Sequence, residues 1–243
     1  MQLLVDIGNT SIKWAFWNGE QLTALGSAKH FGALPIDLLA AWDELHGIEQ
    51  IVAACVGPVS VLEAVTRICD ATWQCDVRRI ETAAEAHGVR VAYAEPARLG
   101  VDRFLALIAA HNQEAAGPKL IVDAGTAVTY DLLDADGRHL GGLILPGMQM
   151  MRDSLLSGTQ IPRYESADAN QSWAADTGEA IAAASIQAPA ALAERLAARL
   201  RSETYQESNL VITGGDAERL LPAVQLSAVH LPALVLSGLS RFA

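Results

Sequence analysis

Three short segments of this sequence combine residue types that act together on phosphate groups. In Asp6-Ile7-Gly8-Asn9-Thr10-Ser11-Ile12-Lys13 a carboxylate ends an apolar run, a glycine permits a sharp turn, and amide and hydroxyl donors precede a lysine. A carboxylate at a strand end reaches a metal ion or its waters, and the turn with Lys13 forms a phosphate cradle without a Walker lysine. Taken alone, the stretch is equally a polar turn between strands. A second copy, Asp123-Ala124-Gly125-Thr126, tips the reading toward chemistry: two such loops facing one another would hold both ends of a triphosphate and its cation. The third segment, Gly100-Val101-Asp102-Arg103, opens an amphipathic helix. An acidic residue in a first turn is ordinarily explained by the helix dipole, worth roughly 0.3–1 kcal/mol. Arg103 works against that dipole, so its guanidinium is better explained as a bidentate partner for a carboxylate or phosphate. Asp102 beside it can take the proton of an attacking hydroxyl.

Other candidates read more simply. Asp176, Thr177 and Glu179 have the pattern of a helix N-terminus, with Asp176 as cap and Glu179 closing a capping box. Met148, Met150 and Met151 are expected to fill core. The six histidines are scattered and adjoin no Ser or Cys nucleophile motif, which leaves nothing for a triad hydrolase. Cys55, Cys69 and Cys75 lack C-x-x-C pairing and metal spacing, and are expected to be buried thiols without a disulfide.

The elements that must position these residues repeat. Leu3 to Ile7 and Leu120 to Ala124 are apolar strands that end beside an aspartate and a glycine turn. Second strands follow, Ile12 to Trp17 and Ala127 to Leu133, each closing at a hairpin dipeptide, Asn18-Gly19 and Asp136-Gly137. Helical patterns run over Ile36–Leu45, Val59–Cys69, Val101 to near Gly117, and Met148 to Gly158. An alanine-rich helix from Gly178 to about Arg201 is interrupted at Pro189, and a late strand, Leu210–Thr213, meets Gly214-Gly215-Asp216. The expectation is an α/β protein of two duplicated halves, residues 1–117 and 118–243, divided at Gly117-Pro118. With 243 residues, half of them hydrophobic, each half can bury its own core. The formal net charge of -11 disfavours nucleic acid as a partner and demands locally placed cations for any anionic ligand. No segment approaches the about 20 apolar residues of a membrane span, so no membrane partner is expected and the cytoplasm is the expected compartment.

Together these segments resemble the type III pantothenate kinases, within the superfamily of acetate and sugar kinases, actin and the large heat-shock chaperones. The resemblance rests on Asp6 to Thr10 with Lys13, Tyr93 through Pro96 to Leu99-Gly100-Val101-Asp102-Arg103, and Asp123 to Thr126. It continues through Gly141-Gly142 to Pro146-Gly147, Thr213 to Asp216, and Leu236-Ser237-Gly238-Leu239. It implies two ribonuclease-H-like domains with a central cleft, and ATP-dependent phosphorylation of pantothenate, the first step of coenzyme A biosynthesis. It assigns Asp6 to Lys13 and Thr126 to ATP, Tyr93 with Gly100 to Arg103 to pantothenate, and the proton to Asp102. Asp123 becomes the ligand of a monovalent cation (K+ or NH4+), Mg2+ travels with ATP, and Thr177 contacts pantothenate across a homodimer interface. Asp176 and Ala184 depart from the family, which commonly has asparagine and glycine there. A phosphatase, a kinase for another small acid, or a non-catalytic accessory factor are the competing readings; the Leu99–Arg103 segment and the two intact loops argue against them.

Overall fold

A computed structural model describes residues 1–162 and 173–243. The chain divides into two compact units, one formed by residues 1–112 with 233–243 and the other by 113–232. The sequence reading placed a single break at 117/118 and gave the last residues to the second half.

In the first unit, β1 (Gln2–Ile7), β2 (Ser11–Trp17) and β3 (Leu22–Lys29) form an antiparallel meander, and α1 (Ile36–Asp43) leads to β4 (Gln50–Cys55). Then α2 (Val59–Ile68) and a π-turn (Cys69–Trp73) lead to β5 (Asp76–Arg79), which completes the five-stranded order β3-β2-β1-β4-β5 with β4 and β5 parallel to β1. A small ribbon, β6 (Glu85–Ala86) with β7 (Val89–Arg90), precedes α3 (Val101–His111).

The second unit repeats this plan. It runs through β8 (Lys119–Ala124), β9 (Ala127–Leu133), β10 (His139–Pro146), α4 (Met148–Ser157) and α5 (Thr177–Thr204). It then continues through β11 (Asn209–Thr213), α6 (Ala217–Leu220) and β12 (Ala228–His230). Its sheet order, β10-β9-β8-β11-β12, is the first sheet's order over again. The expected duplication is therefore present strand for strand. The final α7 (Leu234–Leu239) returns to the first unit.

Alternation along the strands sorts the two faces of each sheet. Leu3, Val5 and Ile7 of β1 and Ile12, Trp14 and Phe16 of β2 enter one core with Leu38 and Trp42 of α1 and Val61 and Val65 of α2. Asp6 and Lys13, paired across β1 and β2, therefore lie on the opposite face, which α3 and α7 cover. In the second unit Leu120, Val122 and Ala124 pack with Val128, Tyr130 and the α5 residues Ile186, Ala190 and Ala193, which leaves Asp123 on the other face.

Several local expectations change. Helix α5 runs through Pro189 without a break; the proline is buried, and its carbonyl accepts the hydroxyl of buried Tyr130 at 2.9 Å. Burial without a charged partner also raises the Tyr130 pKa. Helix α3 stops at His111, well short of Gly117. Met148 is core, but Met150 is exposed. Cys69 and Cys75 are joined by a disulfide across the π-turn, which brings their Cα atoms to 5.5 Å; only Cys55 is a free thiol, its pKa raised by burial. The bend of the turn, invisible to spacing rules, brings the two cysteines together.

Helices α3 and α7 meet backbone to backbone at Gly238, where a Cβ would stand 2.1 Å from the Leu105 carbonyl oxygen. Overpacking there costs about 1–3 kcal/mol. Gly238→Val is expected to lower the unfolding free energy of the first unit by that amount, seen as a lower urea midpoint in the fluorescence of Trp14, Trp42 and Trp73, whereas an unchanged midpoint would show that the helices can separate.

Candidate active site

The loop after β1 is closed by Gly8, whose N–H donates to the Ser11 carbonyl at 2.9 Å. Its other neighbour is the end of the parallel strand β4: the N–H groups of Val56 and Gly57 both donate to the Ile7 carbonyl, at 3.0 and 3.1 Å. Gly57 sits so close that a Cβ there would stand 2.1 Å from the Gly8 oxygen. Asn9 and Thr10 are left exposed at the tip, while Asp6 is buried at the strand end.

The N-terminus of α3 lies beside this loop. Gly100 approaches Val56, and a Cβ on Gly100 would stand 2.5 Å from the Asp102 Oδ1. That same oxygen accepts the N–H of Arg103 at 2.8 Å. The segment before the helix is fixed by the Thr82 hydroxyl, which donates to the Leu99 carbonyl at 2.8 Å. Arg103 is only 7% exposed. Its Nη1 donates to the Tyr93 hydroxyl at 3.1 Å, and the guanidinium carbon lies 5.9 Å from the centre of that ring. Tyr93 in turn lines an open cavity of about 390 Å³ with Ala94, Glu95 and Arg98. Asp6, Gly8, Lys13, Tyr93 and Gly100 to Arg103 thus belong to one unit, with Asp6, Lys13 and α3 on one face of its sheet.

The second unit presents the matching loop. Gly125 N–H donates to the Ala127 carbonyl, and Asp216 N–H donates to the Ala124 carbonyl at 2.8 Å, as Gly57 does to Ile7 in the first copy. Asp123, between Thr129 and Thr213 in the register, has its Oδ1 2.4 Å from where a Cβ on Gly214 would be. The space beside Gly147 is bounded by the carbonyl oxygens of Gly125 and Thr126, 2.2 and 2.5 Å from a Cβ position. The Asp123 carboxylate and the nearby main-chain carbonyls offer oxygen atoms, which suit a hard cation better than a transition metal.

Thr177 is the exposed first residue of α5. Its neighbour Asp176 is the expected cap, accepting the N–H groups of Gly178 and Glu179 at 2.8 and 3.2 Å. Two contributors to the first loop, Gly57 and His30, escaped the sequence reading, as did the half-buried Arg152 of the second unit. Gly57 follows β4 in a Val-Gly-Pro turn, His30 reaches the Gly8 carbonyl with Nε2 at 2.9 Å, and Arg152 donates from Nε to the Ser185 hydroxyl at 2.9 Å. Burial lowers the Arg152 pKa, with Arg219 adding to the effect and Asp216 opposing it. A glycine just past the strand that pairs with the Asp6 strand was the available signal for Gly57; the histidine and arginine had none.

A family model described as type III pantothenate kinase matches residues 2–199. A type III pantothenate kinase of Nitrosococcus oceani is 38% identical, covering 100% of this chain and 94% of that protein. One from Stenotrophomonas maltophilia is 37% identical over 99% of this chain and 96% of its own length. Among solved structures, a Campylobacter jejuni protein described as a Baf family transcriptional activator aligns with a TM-score of 0.63 at 20% identity, covering 98% of this chain and 96% of that one. A Sinorhizobium meliloti protein described as a 2-dehydro-3-deoxygalactonokinase aligns with a TM-score of 0.59 at 15% identity, over 99% and 97%. The structural likenesses bear on fold alone, that of two ribonuclease-H-like domains.

Because Gly100 leaves room for the Asp102 carboxylate, Gly100→Ala is expected to displace it. A misplacement of about 1 Å costs on the order of 100-fold in turnover. Steady-state kinetics on a variant with an unchanged melting temperature checks this; wild-type turnover would mean that the carboxylate has space to spare.

Proposed function

The chain belongs to the type III pantothenate kinase family, and on that premise we propose how its own residues carry the reaction. It phosphorylates pantothenate to 4'-phosphopantothenate in the first step of coenzyme A biosynthesis, with ATP and Mg2+ as the phosphoryl donor. In such transfers positioning and charge neutralisation supply most of the acceleration.

Asp102 is the residue we assign to the acceptor hydroxyl. The observation that carries this is its carboxylate at the N-terminus of α3, beside the Val56–Gly57 turn that braces the Gly8 loop. From there it orients the primary hydroxyl of pantothenate toward the γ-phosphorus and takes its proton as the new bond to phosphorus forms and the bond to the β,γ-bridging oxygen breaks, releasing ADP. We assign Tyr93 and Gly100 to Arg103 to pantothenate, with the Arg103 guanidinium, held by Tyr93, as the counter-charge for its carboxylate. Residues Asp6, Ile7, Gly8, Asn9, Thr10, Ser11, Ile12 and Lys13 are assigned to ATP, with Lys13 offsetting phosphate charge, and Thr126 of the second unit is assigned to ATP as well.

Asp123 is our candidate ligand for a monovalent cation, K+ or NH4+, supported by the carboxylate and carbonyl oxygens described above. Bound there, the cation would supply positive charge against the phosphates. ATP as substrate supports the cytoplasm as compartment, and no helix among the described residues is long and apolar enough to cross a membrane. In a reducing compartment Cys69 and Cys75 would stand as thiols.

A homodimer is supported by β10, an edge strand that carries exposed Leu140, Leu143 and Ile144, with exposed Met150 nearby in sequence on α4. Edge strands are normally blunted by charge, so an apolar one calls for a cover. Thr177 is then the residue that a partner protomer offers to pantothenate. Asp176 is compatible with that role, because its carboxylate is engaged by its own helix N-terminus.

ATP turnover is expected to require pantothenate and K+ or NH4+, and Asp102→Asn to lower kcat by about 10²- to 10⁴-fold with little change in the KM for ATP. Full turnover by the variant would remove Asp102 from its role, and turnover indifferent to potassium and ammonium would do the same for the Asp123 cation. Sedimentation velocity tests the dimer: Ile144→Lys is expected to shift the wild-type dimer toward monomer, and a dimer undisturbed by that charge must be built elsewhere.

A further inference from the structure

His30 immediately follows β3, and Gly147 holds the same place after β10 in the second copy. Both use their backbone N–H in the same way: His30 donates to the Thr10 carbonyl at 3.0 Å, and Gly147 to the Thr126 carbonyl at 2.9 Å. Beyond that bond the copies differ. In the second, the bare Cα of Gly147 lies against the carbonyls of Gly125 and Thr126. In the first, the position carries an imidazole, which is 4% exposed and reaches the Gly8 carbonyl with Nε2 at 2.9 Å.

The partners fix the tautomer. A carbonyl oxygen only accepts, so Nε2 carries the hydrogen; the Gly32 N–H only donates, at 3.4 Å, so Nδ1 presents its lone pair. Gly57 presses on the Gly8 carbonyl as well, so that oxygen is held by a hydrogen bond and by contact. In a planar trans peptide the C=O and the following N–H point in opposite directions. Fixing the Gly8 oxygen toward His30 therefore turns the Asn9 N–H away from it, at the exposed tip of the loop. Backbone N–H groups held in this way bind phosphate oxygens.

We propose that His30 is a positioning residue for the nucleotide: its Nε2–H fixes the Gly8–Asn9 peptide so that the Asn9 N–H meets a phosphate oxygen of ATP. The proposal rests on the assignment of the Asp6–Lys13 loop to ATP. A hydrogen bond to a charged group is worth on the order of tenfold or more in affinity. His30→Phe, which fills the space without donating, is expected to raise the KM for ATP by about that factor while the KM for pantothenate stays within about twofold. His30→Gln, which can donate to Gly8 and accept from Gly32, is expected to restore most of the loss. Asp6→Asn, assayed alongside, separates the two levels of the argument. If it weakens ATP binding while His30→Phe folds and does not, His30 is a core side chain and the proposal falls. If neither variant changes ATP binding, the assignment of the loop falls and the proposal with it. Should the phenylalanine variant fail to fold, imidazole ¹⁵N shifts of the wild-type protein decide: the neutral Nε2–H form is expected, and an Nδ1–H form overturns the clamp.

Discussion

Backbone packed directly on backbone at the strand ends is the constraint on which both loops depend. Within each sheet the aspartate-bearing strand has a parallel neighbour, β4 beside β1 and β11 beside β8, and the two chains leave the sheet side by side. The turn of one therefore meets the turn of the other at less than side-chain distance. Gly57 against the Gly8 carbonyl and Gly214 against the Ala124 carbonyl are the two solutions, each with an N–H just past the neighbouring strand, that of Gly57 or of Asp216, donating to the carbonyl at the end of the aspartate strand. A loop held in this way keeps its donors aimed before any ligand arrives, and preorganised donors are what electrostatic stabilisation requires.

The duplication was legible because it is written in strand ends. Apolar runs that finish at Asp6 and Asp123, glycine turns and hairpin dipeptides recur in order, and the two sheets repeat the same strand sequence. The loops and the Gly100–Arg103 turn were visible as residue types, since Arg103 makes little sense in a first helical turn without a partner; Tyr93 was singled out only by the family resemblance. What stayed hidden depends on contacts distant in sequence. The return of α7 to the first unit requires the fit of Gly238 on Leu105, the continuity of α5 depends on packing around Pro189, and the disulfide depends on the bend of a π-turn. The part played by His30 escaped for the same reason: its partner is 22 residues away and is a carbonyl oxygen, which no side-chain pattern records.

The two copies share a frame and differ in equipment. Three residues, Gly8 to Thr10, connect the first pair of strands, and two, Gly125 and Thr126, connect the second. The shorter loop brings Gly147 close to its carbonyls; the longer one leaves a gap that an imidazole bridges. The lysine on the following strand, the clamping histidine and the helix with its acid and guanidinium all belong to the first unit, while the second keeps a carboxylate among carbonyl oxygens. The first therefore carries the lysine, guanidinium and imidazole assigned to the anionic substrates, and the second the carboxylate assigned to a cation.

That division also answers how a chain with a net charge of -11 can use two anionic substrates. The bulk field repels them, but screening confines that field to about 8–10 Å at ordinary ionic strength, so binding is decided by the nearest groups. Two of the groups assigned to the site are cations of the first unit. Lys13 is pinned by strand pairing opposite Asp6, and Arg103 is buried beside Tyr93. The Asp102 carboxylate accepts the N–H of its own helix turn, and Asp176 caps α5. Carboxylates held by helix N-termini have part of their charge offset by the dipole, so they repel an incoming phosphate less than free surface acids would. With the net charge of the chain negative, the chemistry is left to a few positions where backbone geometry sets the local potential.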